Sequence, residues 1–207
     1  MIDSSPMYGS SQQVVGYALE QLDYPSQLFS AEKVWTRDGS VARRQIQQTG
    51  NAWGLKRFDL MQIHNLLSWQ DHIEILKQMK SNGELRYIGI TTSHGRRHRE
   101  LEKIMASEPL DFVQLTYNLE DREVERRLLP LAREKGIAVI ANRPFQGGSL
   151  INQLQRRNAP LPDFTKAINC QNWAQFLLKY VVSHPAITCA HSRDYSARAH
   201  AGKYGRR

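Results

Sequence analysis

Between Phe29 and Ala141 the chain repeats one unit: a short apolar run, an amphipathic stretch, then another apolar run. The runs Phe29–Val34, Asp59–His64, Tyr87–Thr91, Asp111–Leu115 and Ile137–Ala141 are β-branched or aromatic and bounded by polar or glycine punctuation, so they read as strands. Their onsets fall about 24–30 residues apart, the length of one strand–helix unit. Strands that read as continuous apolar runs are buried on both faces, which calls for a parallel sheet with helices outside. Helical stripes lie between them. Ile73, Leu76 and Met79 form one, closed by Gly83, and Val124, Leu128, Leu131 and Ala132 form another, closed by Gly136. A third, Val14, Val15, Ala18, Leu19 and Leu22, opens on Ser10 with Gln13 three residues on, a capping-box pattern.

Two more strands flank the series. Met1–Asp3 reads as the end of a strand whose beginning is absent, and Ala186–Ala190 as a final one. The polar stretch from Pro144 to Asn169 reads as an insertion. A doubly wound open sheet and an eight-stranded barrel both fit such a repeat. No Gly-x-Gly-x-x-Gly follows a strand, which lowers the first option. The expected fold is α/β, a (β/α)8 TIM-type barrel that is incomplete, with about seven strands and the first strand and helix missing.

Composition narrows the class. With 41% apolar and 23% charged residues among 207, the chain can bury a core, and wholesale disorder is excluded. Two cysteines make no disulfide scaffold and lack metal-ligand spacing, so a reducing, cytoplasmic setting is expected. His72, His94 and His184 have no ligand companions, and no metal site is expected. There is no leading basic segment before an apolar one, and Phe176–Val182 is too short to span a bilayer, so no membrane role is expected. The formal charge of +8 raises nucleic acid as a partner. Half of that excess, however, sits in Arg193, Arg198, Lys203, Arg206 and Arg207, opposed by Asp194 alone. A basic tail of this kind reads as a solvated end, and no nucleic-acid partner is expected. Arg96, Arg97, His98 and Arg99 read as a second solvated face.

In a barrel, chemistry collects where strands end and loops begin. The strand ends supply Asp3, Lys33 and His64, with Tyr8 in the first loop. In order, Ile-Asp-Ser-Ser-Pro-Met-Tyr-Gly at 2–9, Glu-Lys-Val at 32–34 and Asp-Leu-Met-Gln-Ile-His at 59–64 resemble the aldo/keto reductases. Tyr-Ile-Gly-Ile at 87–90, Gln-Leu-Thr-Tyr-Asn at 114–118 and Gly-Ile-Ala-Val-Ile-Ala at 136–141 agree, so the resemblance covers residues 1–190.

The resemblance implies reduction of an aldehyde or ketone to an alcohol by hydride transfer from NADPH. It carries the family's catalytic tetrad onto Asp3, Tyr8, Lys33 and His64. A phenol is a weak acid at neutral pH, and a nearby ammonium stabilises its anion. Lys33 is expected to do this for Tyr8, Asp3 to hold Lys33, and His64 to orient the substrate oxygen. The cofactor positions implied are Thr91 and Thr92 after one strand, Gln114 on the next, and Asn142 and Arg143 after the following one. Here the chain departs from the family: Thr91–Thr92 stands for a Ser-Asn pair, and Asn142–Arg143–Pro144–Phe145 replaces a Tyr-Ser-Pro-Leu segment with its stacking aromatic. Arg143 is expected to reach the pyrophosphate instead, since a guanidinium fork suits phosphate oxygens.

Both ends depart from the family as well. Asp3 lacks the strand and helix that precede it there, so truncation is expected. After Ala190 the family continues Ile-Pro-Gly-Thr/Ser-x-x-Pro-Glu-His-x-x-Glu-Asn. Permitted codons for the tail, read one base later, spell Ile-Pro-Gly-Thr-Thr-Gln-Pro-Glu-His-Met-Gln-Glu-Asn. A frame change after Ala190 is therefore expected, dividing the chain into a reductase-like partial barrel over residues 1–190 and a non-native, disordered basic tail over 191–207. The alternative function is an inactive relic of the family that holds NADPH weakly or not at all. Substrate identity and oligomeric state are left open by the sequence.

Overall fold

The computed structural model describes residues 1–192, so the expectation for the tail, apart from His191 and Ser192, lies outside the described residues. Seven strands form one sheet in chain order: β1 (Ile2–Asp3), β2 (Ser30–Val34), β3 (Phe58–Ile63), β4 (Leu85–Thr91), β5 (Phe112–Thr116), β6 (Ala138–Asn142) and β7 (Cys189–His191). Helices α1 (Ser11–Gln21), α2 (Ala42–Trp53), α3 (Trp69–Ser81), α4 (His98–Ser107), α5 (Leu128–Lys135), α6 (Ser149–Arg156) and α7 (Trp173–Val182) alternate with them. Sequential strands with crossover helices are the arrangement of a (β/α)8 barrel, incomplete here at seven strands.

Every predicted strand is present, with edges shifted by a few residues. The largest shift is at the end, where β7 begins at Cys189 and includes His191, which pairs with Asn142. The described residues fold as two compact units, residues 1–92 with 108–113, and residues 93–107 with 114–192.

In the first unit, β1 to β4 pair in parallel, and the register sets the chemistry. Lys33 lies opposite Gln62, and Glu32 opposite Met61. Successive residues of a strand face opposite sides, so Lys33 and Gln62 share one face while Glu32 takes the other. All five residues of β2 are buried. Ala31, Val34, Leu60, Met61, Ile63 and Ile90 are each fully buried beside them.

Helix α1 departs from its expected face. Gln12, Gly16 and Leu19 are buried, whereas Val14 and Leu22 are 59% and 65% exposed. The cause is a close approach to α2, since a Cβ at Gly16 would lie 1.8 Å from the Ala52 carbonyl oxygen. Only glycine permits this contact, and it rotates the helix away from its apolar stripe. Ser10 precedes α1 without a side-chain cap, so the capping box is not formed. The glycine stops are. Gly83 and Gly136 adopt φ of 75° and 67°, and the amides of Glu84 and Ile137 bond back to Met79 and Ala132 at 2.9 and 2.8 Å.

In the second unit, the stripe from Val124 to Ala132 is broken at Arg127, whose φ of −141° is not helical. Pro130 explains the break, because it has no N–H for the carbonyl four residues earlier. The stretch read as an insertion contains α6, whose Leu150 packs with Phe145, Leu177 and Leu178.

Candidate active site

Four side chains from three strand ends and one loop meet in the first unit. The Lys33 ammonium donates to Asp3 Oδ2 at 2.8 Å and to the Ser4 carbonyl at 2.7 Å. Both charged side chains are sealed from solvent, at 1% and 0% exposure. Such a pair persists only when every donor and lone pair is provided for. Asp3 Oδ1 accepts from Gln62 Nε2 at 3.3 Å, which the opposed register of β2 and β3 makes possible.

Tyr8 lies over this pair. The Lys33 nitrogen sits 5.3 Å from the centre of its ring. The His64 ring meets the Tyr8 ring edge-on, with centroids 5.7 Å apart. The four predicted tetrad residues are thus brought together. Tyr8 as a whole residue is 43% exposed, whereas the Lys33–Asp3 charges behind it are sealed.

The electrostatics separate the roles. Burial pushes the Tyr8 hydroxyl above its ordinary value of 10.0, and the Lys33 ammonium pulls the other way, against Asp3 and Glu32. The net direction is upward, opposite to the expectation that Lys33 alone would make this phenol more acidic. Desolvation outweighs the ammonium, and the Asp3 and Glu32 charges add to it. His64 is pushed down to about 4, by burial first and then by the Lys33 charge. It is a neutral imidazole around neutral pH, a hydrogen-bonding group rather than a cation.

Three residues that sequence reasoning passed over belong to this region. Ser5, fully buried, bonds His64 Nδ1 at 2.7 Å. Gln62 orients Asp3, as described. Glu32, on the far face of β2, accepts from the Lys33 amide at 2.7 Å, while its Oε2 has no hydrogen-bond partner among the described residues. The available signal lay in motifs already read: Ser5 stands between Asp3 and Tyr8, Glu32 beside Lys33, and Gln62 two residues before His64.

The predicted cofactor residues fall in both units. In the first, Thr91 ends β4 and Thr92 follows it, both buried, and Thr91 Oγ1 accepts from the Asn65 amide at 2.9 Å. In the second, Gln114 is buried on β5, and Asn142 Oδ1 accepts from Thr116 Oγ1 at 2.7 Å. Arg143 adopts φ of 53°, and its carbonyl accepts from Asn118 Nδ2 at 3.1 Å. Its Nε is buried without a hydrogen-bond partner among the described residues. A buried guanidinium donor of this kind fits an anionic oxygen such as a phosphate's. Phe145 does not replace the stacking aromatic, because its ring is buried against α6 and α7. The basic cluster behaves as an exposed surface in which Arg97 pairs with Glu100 at 2.6 Å.

The aldo/keto reductase family model matches residues 1–201. The chain belongs to the aldo/keto reductase family. It is 27% identical over 191 residues to the NADH-specific methylglyoxal reductase of Escherichia coli, covering 77% of this chain and 56% of that protein. It is 27% identical over 192 residues to the methylglyoxal reductase YeaE of the same organism, covering 90% and 67%. The aldo-keto reductase YhdN of Bacillus subtilis is 27% identical over 157 residues, covering 68% and 46%. The chain therefore spans roughly half to two thirds of the length of these relatives. Among solved structures, the holo form of the aldo-keto reductase AKR11C1 from Bacillus halodurans superposes with a TM-score of 0.77 at 19% identity, over 98% of this chain and 74% of that one. That likeness shows the incomplete barrel fold.

Proposed function

We propose that this chain reduces a small aldehyde or ketone to an alcohol, with NADPH as hydride donor and Tyr8 as general acid. One observation carries the reading: a solvent-sealed Lys33–Asp3 pair held beneath an exposed tyrosine and a neutral histidine. When bound, the nicotinamide supplies the hydride that reaches the carbonyl carbon.

The chain's own residues manage the charge that then develops on oxygen. Tyr8 donates its proton to that oxygen. Lys33 stabilises the phenolate left behind, and Asp3 and the Ser4 carbonyl keep the ammonium in place. This division gives the upward shift of Tyr8 a sense. A phenol that keeps its proton in the resting state has one to give, and the adjacent ammonium counts most once the anion forms. His64 orients the carbonyl oxygen. Thr91, Thr92, Gln114, Asn142 and Arg143 are the residues proposed to hold the cofactor, Arg143 at its phosphates. The first substrate to try is methylglyoxal, after the two relatives named for it. NADPH is taken as donor on the family resemblance, and since one relative is named NADH-specific, both nucleotides belong in the assay. Two cysteines, too few for a disulfide scaffold, support a reducing, cytoplasmic setting.

The deciding experiment is Tyr8→Phe. We expect turnover of methylglyoxal to fall by about 10²–10⁴-fold, the usual worth of a positioned acid, with cofactor binding near normal. Loss of binding and turnover together would overturn the acid role. A second reading, an inactive relic, is favoured by Phe145, whose burial against α6 and α7 leaves the segment Asn142–Phe145 without a stacking aromatic. It predicts no quenching of tryptophan fluorescence by either nucleotide.

A further inference from the structure

We propose that the Ser5 hydroxyl fixes the tautomer of His64, donating to Nδ1 so that the imidazole proton rests on Nε2; Ser5 is then a positioning residue for carbonyl reduction. Its catalytic consequence rests on the reductase reading above, whereas the tautomer assignment stands on hydrogen-bond accounting alone.

Ser5 Oγ is 2.7 Å from His64 Nδ1 and receives the Met7 amide at 3.2 Å. The residue is 0% exposed, so solvent does not complete its bonding. A hydroxyl has one hydrogen and two lone pairs, and a neutral imidazole has one nitrogen of each kind. Two arrangements are possible. If Nδ1 carried the proton, Ser5 Oγ would receive two donors, and its own hydrogen would be buried with no acceptor among the described residues. If Ser5 donates to Nδ1, the hydroxyl gives one bond and receives one, and every buried group in the trio is satisfied. Buried donors are rarely left unmade, so the second arrangement holds. Burial and the Lys33 charge, which keep the ring neutral, preserve the choice near neutral pH.

The consequence is directional. With Nδ1 occupied, Nε2 carries a hydrogen and no described residue takes it. That N–H is the group a carbonyl oxygen needs. The opposite tautomer would face the same oxygen with a lone pair. Ser5 therefore acts on the substrate only through His64, from the segment that also carries Asp3 and Tyr8.

The test is nitrogen NMR of the full chain labelled at histidine, with His64 assigned by loss of its signals in His64→Gln. The wild-type chain is expected to show the Nε2–H pattern as a single tautomer. Ser5→Ala is expected to give a tautomer-averaged pattern and roughly tenfold lower kcat, with the KM for nucleotide unchanged. Ser5→Thr, which keeps the hydroxyl, should restore both. An Nδ1–H pattern in the wild-type chain, or a Ser5→Ala pattern identical to wild type, would overturn the assignment. An Nε2–H pattern in a chain with no turnover would support the Ser5–His64 bond and count against the reductase reading instead, so the two failures are told apart.

Discussion

Lys33 and Glu32 are neighbours on β2, both essentially inaccessible to solvent, and they are treated in opposite ways. Lys33 faces the tetrad with Asp3 and the Ser4 carbonyl bonded to its ammonium. Glu32 faces α1 and α2 with one oxygen bonded to a backbone amide and the other unpartnered. Gln12 draws the Glu32 carboxyl down, yet its Nε2 also lacks a partner, so the two groups are near without a bond of proper geometry. Burial dominates, and Glu32 is pushed up to about 7. The comparison teaches that burial without an opposite charge or a second hydrogen-bond partner pushes a carboxyl toward its protonated form. The Lys33 face also carries Tyr8, the residue proposed above to give up a proton.

The comparison breaks most visibly at Lys33. Lys33→Met leaves Asp3 buried without its partner, and we expect a loss of about 3–5 kcal/mol in urea unfolding, with turnover abolished. Adding Asp3→Asn to Lys33→Met should recover much of the stability and none of the activity. Equal stability in the single and double variants would show that Asp3 does not depend on the pair.

On the opposite face the effect is one of pH. The folded carboxyl of Glu32 titrates near 7 and the unfolded one near 4.5, so the folded state binds more protons between those values. Its stabilising contribution is complete below pH about 4.5, falls as pH rises through about 7, and is flat above that. At about 1.4 kcal/mol per pKa unit the window is worth roughly 3 kcal/mol. In Glu32→Gln this slope should be missing from a series of unfolding midpoints taken between pH 4.5 and 8. An unchanged slope would place the titration elsewhere.

The same pair of residues shows how far the sequence could be read. Alternation along a strand puts Lys33 and Glu32 on opposite faces without any coordinates, and strand ends in chain order gather Asp3, Lys33 and His64. Partners fixed by distant segments carry no such local signal. The Ser5–His64 bond spans 59 residues, and the Trp53–Gln12 bond spans 41. The buried face of helix α1 differs from its apolar stripe for a related reason. Apolar periodicity pointed to Val14 and Leu22, but the contact that decides its orientation is made by Gly16, a residue with no hydropathy to register. Helix α6 carries little sequence signal because its short amphipathic pattern sits between prolines and polar residues.

The smallest expected effect sharpens the account of the Glu32 face. Gln12 Oε1 accepts from Trp53 Nε1 at 2.7 Å, and Trp53 is fully buried in α2. Gln12→Met removes that acceptor and leaves an indole N–H buried, which costs about 1–3 kcal/mol. It also removes the unpartnered Nε2, which offsets part of the loss, so a net change of about 1 kcal/mol is expected. The change should grow with pH. Gln12 is one of the groups that lower the Glu32 pKa, so without it the carboxyl holds its proton to higher pH and the ionised form is dearer still. Unfolding of Gln12→Met should therefore match wild type more closely at pH 5 than at pH 8. A loss of the same size at both would mean that Gln12 serves Trp53 alone and leaves Glu32 to the backbone.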